Sequence, residues 1–217
     1  MAEPRYIDLR QISDRAIAVI TSPVAFYRNM PKTGGFLEPL VFMIIISFVS
    51  GFLFALGFFL GMNPVAGVFF AVGGVVMIPI VVTLGSFLWS LVLFVIWRIA
   101  GSREPFEVAY RSFAYTWAIS PITTVMALAP RIGFIGGITS FFWTLYLLIV
   151  ASIEVHRIPP RTAYTVFIAL ALVLLGVASL AASERHGVLH SFAQQVLNAQ
   201  RVMRTSQPFG PGAPKAH

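Results

Sequence analysis

Ionisable side chains stand at the ends of the long apolar segments of this chain, where they could form ion pairs or line a polar pocket. A charge at the centre of a bilayer costs roughly 2.5 to 3.5 kcal/mol, so groups close to it are informative. Arg111 and Glu154 lie deepest, about one helical turn inside their segments, and we expect an ion pair or a shared hydrogen-bond network between them. Separate snorkelling to the lipid headgroups is the alternative. The candidate polar cluster comprises Glu38, Arg98, Glu107, Arg111, Glu154 and His156.

Several chemistries are excluded by what the apolar segments lack. No carboxylate or histidine falls near a segment midpoint, which argues against a proton-coupled carrier. Both aspartates, Asp8 and Asp14, precede the first segment, and the chain has no cysteine, so an intramembrane aspartate pair and a thiol nucleophile are both excluded. His186 and His190 have a metal-binding spacing but no clear third ligand. We therefore predict no catalytic residue, cofactor or metal.

Membrane-spanning helices must position these groups. The chain is 58% hydrophobic and 11% charged, and from Pro39 to Trp97 it contains no Asp, Glu, Lys, Arg or His. A crossing takes roughly 20 apolar residues, and alternating strands of a barrel are absent from the pattern. The sequence predicts an all-α, multi-pass transmembrane bundle without β-sheet. The five predicted spans are Phe36 to Gly61, Pro64 to Trp97, Phe106 to Ala129, Gly133 to Val155, and Ala163 to Ala182.

The second span is too long for one untilted crossing, and this leaves the topology open between five and six spans. Pro79 and Gly85 could break it, because proline removes a helix hydrogen bond and glycine loosens the backbone. With five spans, ten of the fifteen Lys and Arg residues fall on the N-terminal side. The positive-inside rule then favours five spans, a cytoplasmic N-terminus and a C-terminal tail on the opposite side.

Three regions follow from this pattern. Residues 1–35 form a cytoplasmic amphipathic segment that we expect to be retained, residues 36–183 the transmembrane domain, and residues 184–217 a tail. Leu9, Ile12, Ala16, Val19 and Ile20 fall on one helical face, which suits a helix lying on the membrane or on the bundle. The tail is predicted to hold a second amphipathic helix, Val188 to Met203, before a disordered end. The net charge of +7 indicates basic loops beside anionic lipid rather than nucleic-acid binding.

Small residues at four-residue spacing predict close helix packing, since they let two backbones approach in lipid. Packing within the bundle is the main interpretation, and homo-oligomerisation is the alternative. The residues concerned are Ser47, Gly51, Ala55, Gly57, Gly61, Gly133 and Gly137.

Two stretches carry a family resemblance. ITSPVAFYRNMPKTGGFLEPLVF (Ile20 to Phe42) and GSREPFEVAYRSFAYTWAISPI (Gly101 to Ile122) resemble the Yip family of Ypt/Rab-interacting proteins, in particular its prokaryotic branch. The HRIPPRTAY turn (His156 to Tyr164) extends the resemblance, although many members have a glycine pair where this chain has Gly101 and Ser102. The resemblance implies a five-helix membrane protein with a cytoplasmic N-terminus. Eukaryotic relatives bind Rab-type GTPases, a role that the short N-terminal segment here does not support.

Three functions are compatible with these observations. The first is a non-enzymatic organiser or adaptor in a bacterial cytoplasmic membrane, which holds lipids, a protein partner or a second copy of itself. The second is a channel or small-solute permease built on the broken second helix. The third is a lipid-modifying enzyme, which would need Glu107, Arg111, Glu154 and His156 to converge within hydrogen-bond reach.

Overall fold

The structure is a computed structural model that describes residues 9–57, 59–60, 64–129 and 132–180. These residues are helical or lie in short connections, and none forms a strand. Two compact units divide the chain, Met1–Ile168 and Ala169–His217. The predicted tail helix from Val188 to Met203, the His186 and His190 pair, and Gly61 lie outside the described residues.

Two short helices precede the first span. Helix α1 (Leu9–Thr21) buries Ile12 and Val19 and leaves its opposite, polar face exposed. Helix α2 (Pro23–Arg28) opens with a proline, whose fixed φ and missing N–H suit the first turn. Helix α1 packs on α2 and on the middle of the third span, while α2 packs on the fourth span. This N-terminal region therefore lies on the bundle itself.

The second span is a single unbroken helix. Helix α3 (Leu37–Gly57) is followed by α4 (Pro64–Ile99), whose 36 residues continue through Pro79 and Gly85. The expected break at these two positions is therefore wrong. Proline deletes only one hydrogen bond, and a membrane helix can absorb this loss by local adjustment. Because a second crossing would require a turn, the six-span alternative is wrong as well.

The helix distortion lies in the third span instead. Helix α5 (Phe106–Ala114) continues into a 3₁₀ segment (Tyr115–Ile119) and then into α6 (Ser120–Leu128). Pro121 explains the tightening, since its ring would clash with the carbonyl of Trp117 in an α-helix. The backbone N–H of Ser120 bonds to that carbonyl in the shorter 3₁₀ pattern.

This composite third span runs parallel to α3 along the whole length of that helix. Arg111 meets Glu38 at one end, the hydroxyl oxygens of Ser50 and Ser120 lie 2.8 Å apart in the middle, and Leu128 approaches Gly57 at the other end. A segment that accompanies a crossing helix from end to end must cross the same thickness. The composite span is therefore a crossing in its own right.

Two further helices follow the composite span, α7 (Gly133–Glu154) and α8 (Pro160–Leu180). By length and composition, four helices can cross a membrane: Leu37–Gly57, Ile80–Ile99 within α4, Gly133–Glu154 and Pro160–Leu180. With the composite span they make five crossings. The predicted all-α, multi-pass bundle is confirmed.

Small residues at helix contacts follow the predicted pattern only in part. Ser47 and Ala55 are buried and Gly51 is half-buried. A Cβ on Gly57 would collide with the side chain of Leu128, and one on Gly133 would lie 3.0 Å from the carbonyl oxygen of Ala127.

In α7 the packing position is Gly136 and not Gly137. Gly137 faces open space, whereas a Cβ on Gly136 would lie 2.8 Å from the Cβ of Met126. The predicted packing of Gly137 within the bundle is therefore wrong, because the α6 and α7 contact follows a three-residue spacing.

Candidate functional site

One end of the bundle carries the charged groups and is called here the polar end. It consists of residues 28–38, 98–111 and 154–161, which contact one another through the bonds described below. The polar end thus gathers at one level the beginnings of three spans and the ends of two others. Four groups of contacts build this region.

Arg111 is the centre of the first group. It stands on the inner face of α5, where its side chain has no exposed surface. A buried cation is costly unless it is paired and hydrogen-bonded. Its Nη2 lies 3.2 Å from Oε2 of Glu38, and its Nε lies 3.6 Å from Oε1 of Glu107, one turn earlier on the same helix.

The loop before α3 wraps around the same guanidinium. Arg111 donates to the carbonyl oxygen of Pro31 at 3.4 Å and to that of Gly35 at 3.1 Å. In return, the backbone N–H of Gly35 donates to Glu107 at 2.7 Å. Gly34 and Gly35 have φ values of +122° and +81°, which L side chains rarely adopt. The glycine pair is therefore what lets the backbone approach the buried arginine.

Glu38 has a second cationic partner, Arg15 of α1, which pairs with its other carboxylate oxygen. Two arginines and two glutamates thus form a chain in the order Arg15, Glu38, Arg111, Glu107. The formal charges of the four side chains cancel, so this network can lie at the edge of an apolar bundle without an unpaired charge.

The second group ties the N-terminal segment to α7. Arg28 donates from Nε and Nη2 to the two carboxylate oxygens of Glu154, at 2.9 and 3.1 Å. Lys32 donates to Glu104 at 2.6 Å and to the carbonyl oxygen of Val155 at 3.0 Å. The Arg28 side chain is 64% exposed, so this pair fixes geometry more than it adds stability.

Tyr27 anchors α2 in the third group. Its ring is fully buried, and its hydroxyl donates to the carbonyl oxygen of Ser112 on α5 at 3.0 Å. Burial raises the pKa of Tyr27 far above its usual range, so the hydroxyl remains a donor at any physiological pH. Helix α2 is therefore held by a buried hydrogen bond as well as by its surface ion pair.

The fourth group joins the end of α4 to the end of α7. The Trp97 indole N–H donates to Ser152 at 2.7 Å, and the Trp97 ring stacks on His156 with 4.0 Å between centroids. The Ser102 hydroxyl lies 2.8 Å from Nδ1 of His156. Burial, and then the positive charge of Lys32, lower the pKa of His156 to about 3, so the imidazole is neutral at pH 7.

The predicted polar cluster is divided among these groups. Glu38, Glu107 and Arg111 come together, whereas Glu154 binds Arg28 and His156 binds Ser102. Arg98 is exposed, over the ring of Phe94 and 3.5 Å from the carbonyl oxygen of Ser102. The expected direct contact between Arg111 and Glu154 does not form, because each finds a closer partner supplied by the N-terminal region.

Three cations of these contacts were missed by sequence reasoning, namely Arg15, Arg28 and Lys32. Because these residues precede the first span, they were interpreted only as indicators of membrane orientation under the positive-inside rule. The glycine pair at Gly34 and Gly35 was the available signal, because adjacent glycines after a basic stretch predict a tight approach of backbone to another group.

The contacts of the polar end among the described residues hold its segments together, and they do not resemble a reaction centre. Ser102 and His156 form a hydroxyl and imidazole contact, yet both are only 4% exposed, and His156 is covered by Trp97. Within the described ranges, no three histidine, aspartate or glutamate side chains group as metal ligands would. What the geometry does clearly is to fasten the N-terminal region across the ends of three spans.

Comparison with known proteins gives one match. A family model described as Yip1 domain matches residues 17–182, which is more than half of the chain and includes every contact above except that of Arg15. No curated protein and no solved structure matches the chain.

Proposed function

The chain belongs to the Yip1 domain family, and from that premise we propose that it is a non-enzymatic membrane organiser that holds partner proteins or lipids at its polar end. The rigid platform that such a role needs is the N-terminal region, α1 and α2 with the loop to α3. Its position in the membrane of a bacterial cell, with the N-terminus in the cytoplasm, forms part of the same proposal.

The observation that carries this proposal is that the glutamates of the polar end are engaged in ion pairs. Glu38, Glu104 and Glu154 each pair with a cation from another segment of the chain, and Glu107 pairs with Arg111 on the same helix. Charges used in this way hold a surface in place, and they leave none of these four carboxylates free to act as an acid or a base. A fixed surface is what a partner needs for binding without a large ordering cost.

The outer face of α1 is the part of this platform that a partner would meet. It consists of Gln11, Asp14, Ile17 and Thr21, which recur at helical spacing and are all exposed. Ile17 is 58% exposed in the middle of this polar face. A single large apolar side chain ringed by polar groups is the usual form of an interface anchor.

The orientation is supported by the basic residues of the polar end. Arg28, Lys32 and Arg98 lie on the same side of the bundle as Arg157, and the loops of the opposite side contain only Arg131. Positively charged loops favour the cytoplasmic side.

The two alternative functions lose the features that motivated them. The permease hypothesis depended on a broken second helix, and α4 is continuous. The enzyme hypothesis needed Glu107, Arg111, Glu154 and His156 in one place, and they belong to three different sets of contacts.

Site-specific photo-crosslinking in native membranes tests the proposal. A photoreactive residue at Gln11 or Ile17 should give discrete protein adducts, because these positions belong to the outer face of α1. The same residue at Leu172, which is 65% exposed on the apolar α8, serves as the matched control and should react with lipid only. Lipid adducts alone at all three positions would contradict a protein-binding role.

A further inference from the structure

Four exposed arginines lie on two neighbouring connections of the polar end. Arg98 lies in the last turn of α4 and Arg103 in the connection after it, while Arg157 follows α7 and Arg161 lies in the first turn of α8. The two connections touch directly, since Ser102 lies 2.8 Å from His156 and Trp97 stacks on the same imidazole. Each of the first three arginines is adjacent in sequence to one of these contacting residues. We name the four together the arginine patch.

No carboxylate of the described residues forms an ion pair with the patch. The ion pairs among the described residues engage Glu38, Glu104, Glu107 and Glu154 with other cations, and none of them includes an arginine of the patch. The polar end therefore balances its buried charges internally and leaves four positive charges on its surface.

Two of these arginines occupy positions that cost the fold stability. Arg157 has a φ of 55°, the left-handed conformation in which glycine would be free of strain. Arg161 lies in the first turn of α8, where a cation meets the positive end of the helix dipole. The local backbone thus disfavours the positive side chains that the patch presents.

Apolar side chains flank the patch on the side of the spans. Ile99, next to Arg98, is 82% exposed, and Tyr164, one turn after Arg161, is 48% exposed. Exposed apolar surface at the end of membrane helices is suited to acyl chains, and aromatic residues favour the headgroup level. Cations followed by apolar surface match a molecule with an anionic head and a hydrocarbon tail.

We propose that the arginine patch binds the phosphate headgroup of an anionic phospholipid, whose acyl chains lie along Ile99 and Tyr164. Arginine suits this ligand because its planar fork donates two parallel hydrogen bonds to phosphate oxygens. The inference rests on the proposed function in that it names the lipid class held at the polar end. It is independent of any protein partner.

Native mass spectrometry of the full chain in neutral detergent tests this site, with phosphatidylglycerol and phosphatidylcholine as the two probes. The wild-type protein should retain phosphatidylglycerol at least about tenfold better, since each arginine near the surface contributes about fivefold to the binding of anionic lipid. The variant Arg98→Gln, Arg103→Gln, Arg157→Gln, Arg161→Gln should lose this preference. Millimolar inorganic phosphate should not displace the lipid, because the acyl chains contribute to binding.

The matched control removes the same number of positive charges outside the patch, as Arg185→Gln, Arg201→Gln, Arg204→Gln, Lys215→Gln, and should keep the preference. Equal loss in both variants, or no preference in the wild-type protein, would overturn the proposal. So would displacement by inorganic phosphate, which would indicate a site for the free anion.

A single substitution separates lipid binding from folding. Arg157→Gly should raise the melting temperature by removing the strained conformation, and it should weaken phosphatidylglycerol binding about fivefold. A more stable protein with unchanged lipid binding would refute the role of Arg157. The crosslinking result on α1 does not depend on lipid binding at the arginine patch. Failure of the protein-partner proposal can therefore be distinguished from failure of the lipid proposal.

Discussion

A Cβ atom placed on Gly34 would lie 2.9 Å from Nη2 of the buried Arg111, although the two residues belong to different parts of the chain. The backbone of the N-terminal loop thus reaches the guanidinium only because residue 34 has no side chain. The loop then supplies two carbonyl groups to Arg111, and Glu38 in the first turn of α3 supplies the carboxylate.

Gly34→Ala should destabilise the protein. The φ of +122° disfavours any L side chain, a cost of about 1 to 3 kcal/mol, and the collision with Arg111 adds to it. Gly35→Ala should show the conformational cost alone, because a Cβ at Gly35 meets nothing within 4 Å. Thermal unfolding in detergent would compare the two variants. Equal melting temperatures would show that the approach to Arg111 does not matter.

Arg111→Met should cost about 3 kcal/mol of folding free energy, at the lower end of the range for breaking a buried pair. The lower end applies because Glu38 and Glu107 remain 30% and 25% exposed and can be hydrated. Adding Glu107→Gln should recover part of the loss, and a double-mutant cycle measures this coupling. Arg98→Gln, at an exposed position, is the control and should change stability by less than about 0.5 kcal/mol.

Two adjacent glycines of α7 should respond differently to alanine. Gly136→Ala should destabilise the α6 and α7 contact by about 1 to 3 kcal/mol, because the new Cβ would lie 2.8 Å from Met126. Gly137→Ala should be neutral or stabilising by up to about 1 kcal/mol, since it improves helix propensity in open space. A lower melting temperature for Gly137→Ala than for Gly136→Ala would show that α6 contacts the face of α7 that carries Gly137.

His156 should make the protein sensitive to acid. Its pKa is lowered to about 3 by burial, below the unfolded value of about 6.5, so the unfolded chain binds the proton more readily. The contribution of His156 to the free energy of unfolding is therefore fully present above pH 6.5 and is lost as the pH falls towards 3. At pH 5 the loss should be about 2 kcal/mol.

His156→Gln isolates that effect from the titration of the carboxylates. The difference in unfolding free energy between wild type and variant should shrink as the pH falls from 7 to 5. Denaturant unfolding at several pH values measures it. A difference that stays constant with pH would mean that the imidazole already titrates normally in the folded protein.

Reporter fusions should place the two chain termini on opposite sides of the membrane, with the N-terminus cytoplasmic. Five crossings require opposite sides, and under the positive-inside rule the basic residues of the polar end favour the cytoplasm for the N-terminus. Fusions after Arg103 and after Arg157 should report the same side as the N-terminus. A common side for both termini would mean that the composite third span does not cross.

The amino-acid sequence by itself determined that lipid surrounds this chain and that its spans are helices. That follows from the apolar run between Pro39 and Trp97, because in hydrocarbon the backbone must satisfy its own hydrogen bonds. The five crossings and the position of the ionisable groups at their ends were likewise readable, since charge is costly at the bilayer centre.

Tertiary structure alone decided which groups meet. Arg111 was visible as a buried charge, yet its partners Glu38 and Gly35 lie more than seventy positions away, and spacing along a helix carries no information about them. Proline position did not decide helix continuity, since Pro79 lies within an unbroken helix whereas Pro121 follows a 3₁₀ segment. Gly136 was chosen over Gly137 by the way α6 and α7 pack. Such contacts depend on the packing of several helices at once, which no single segment encodes.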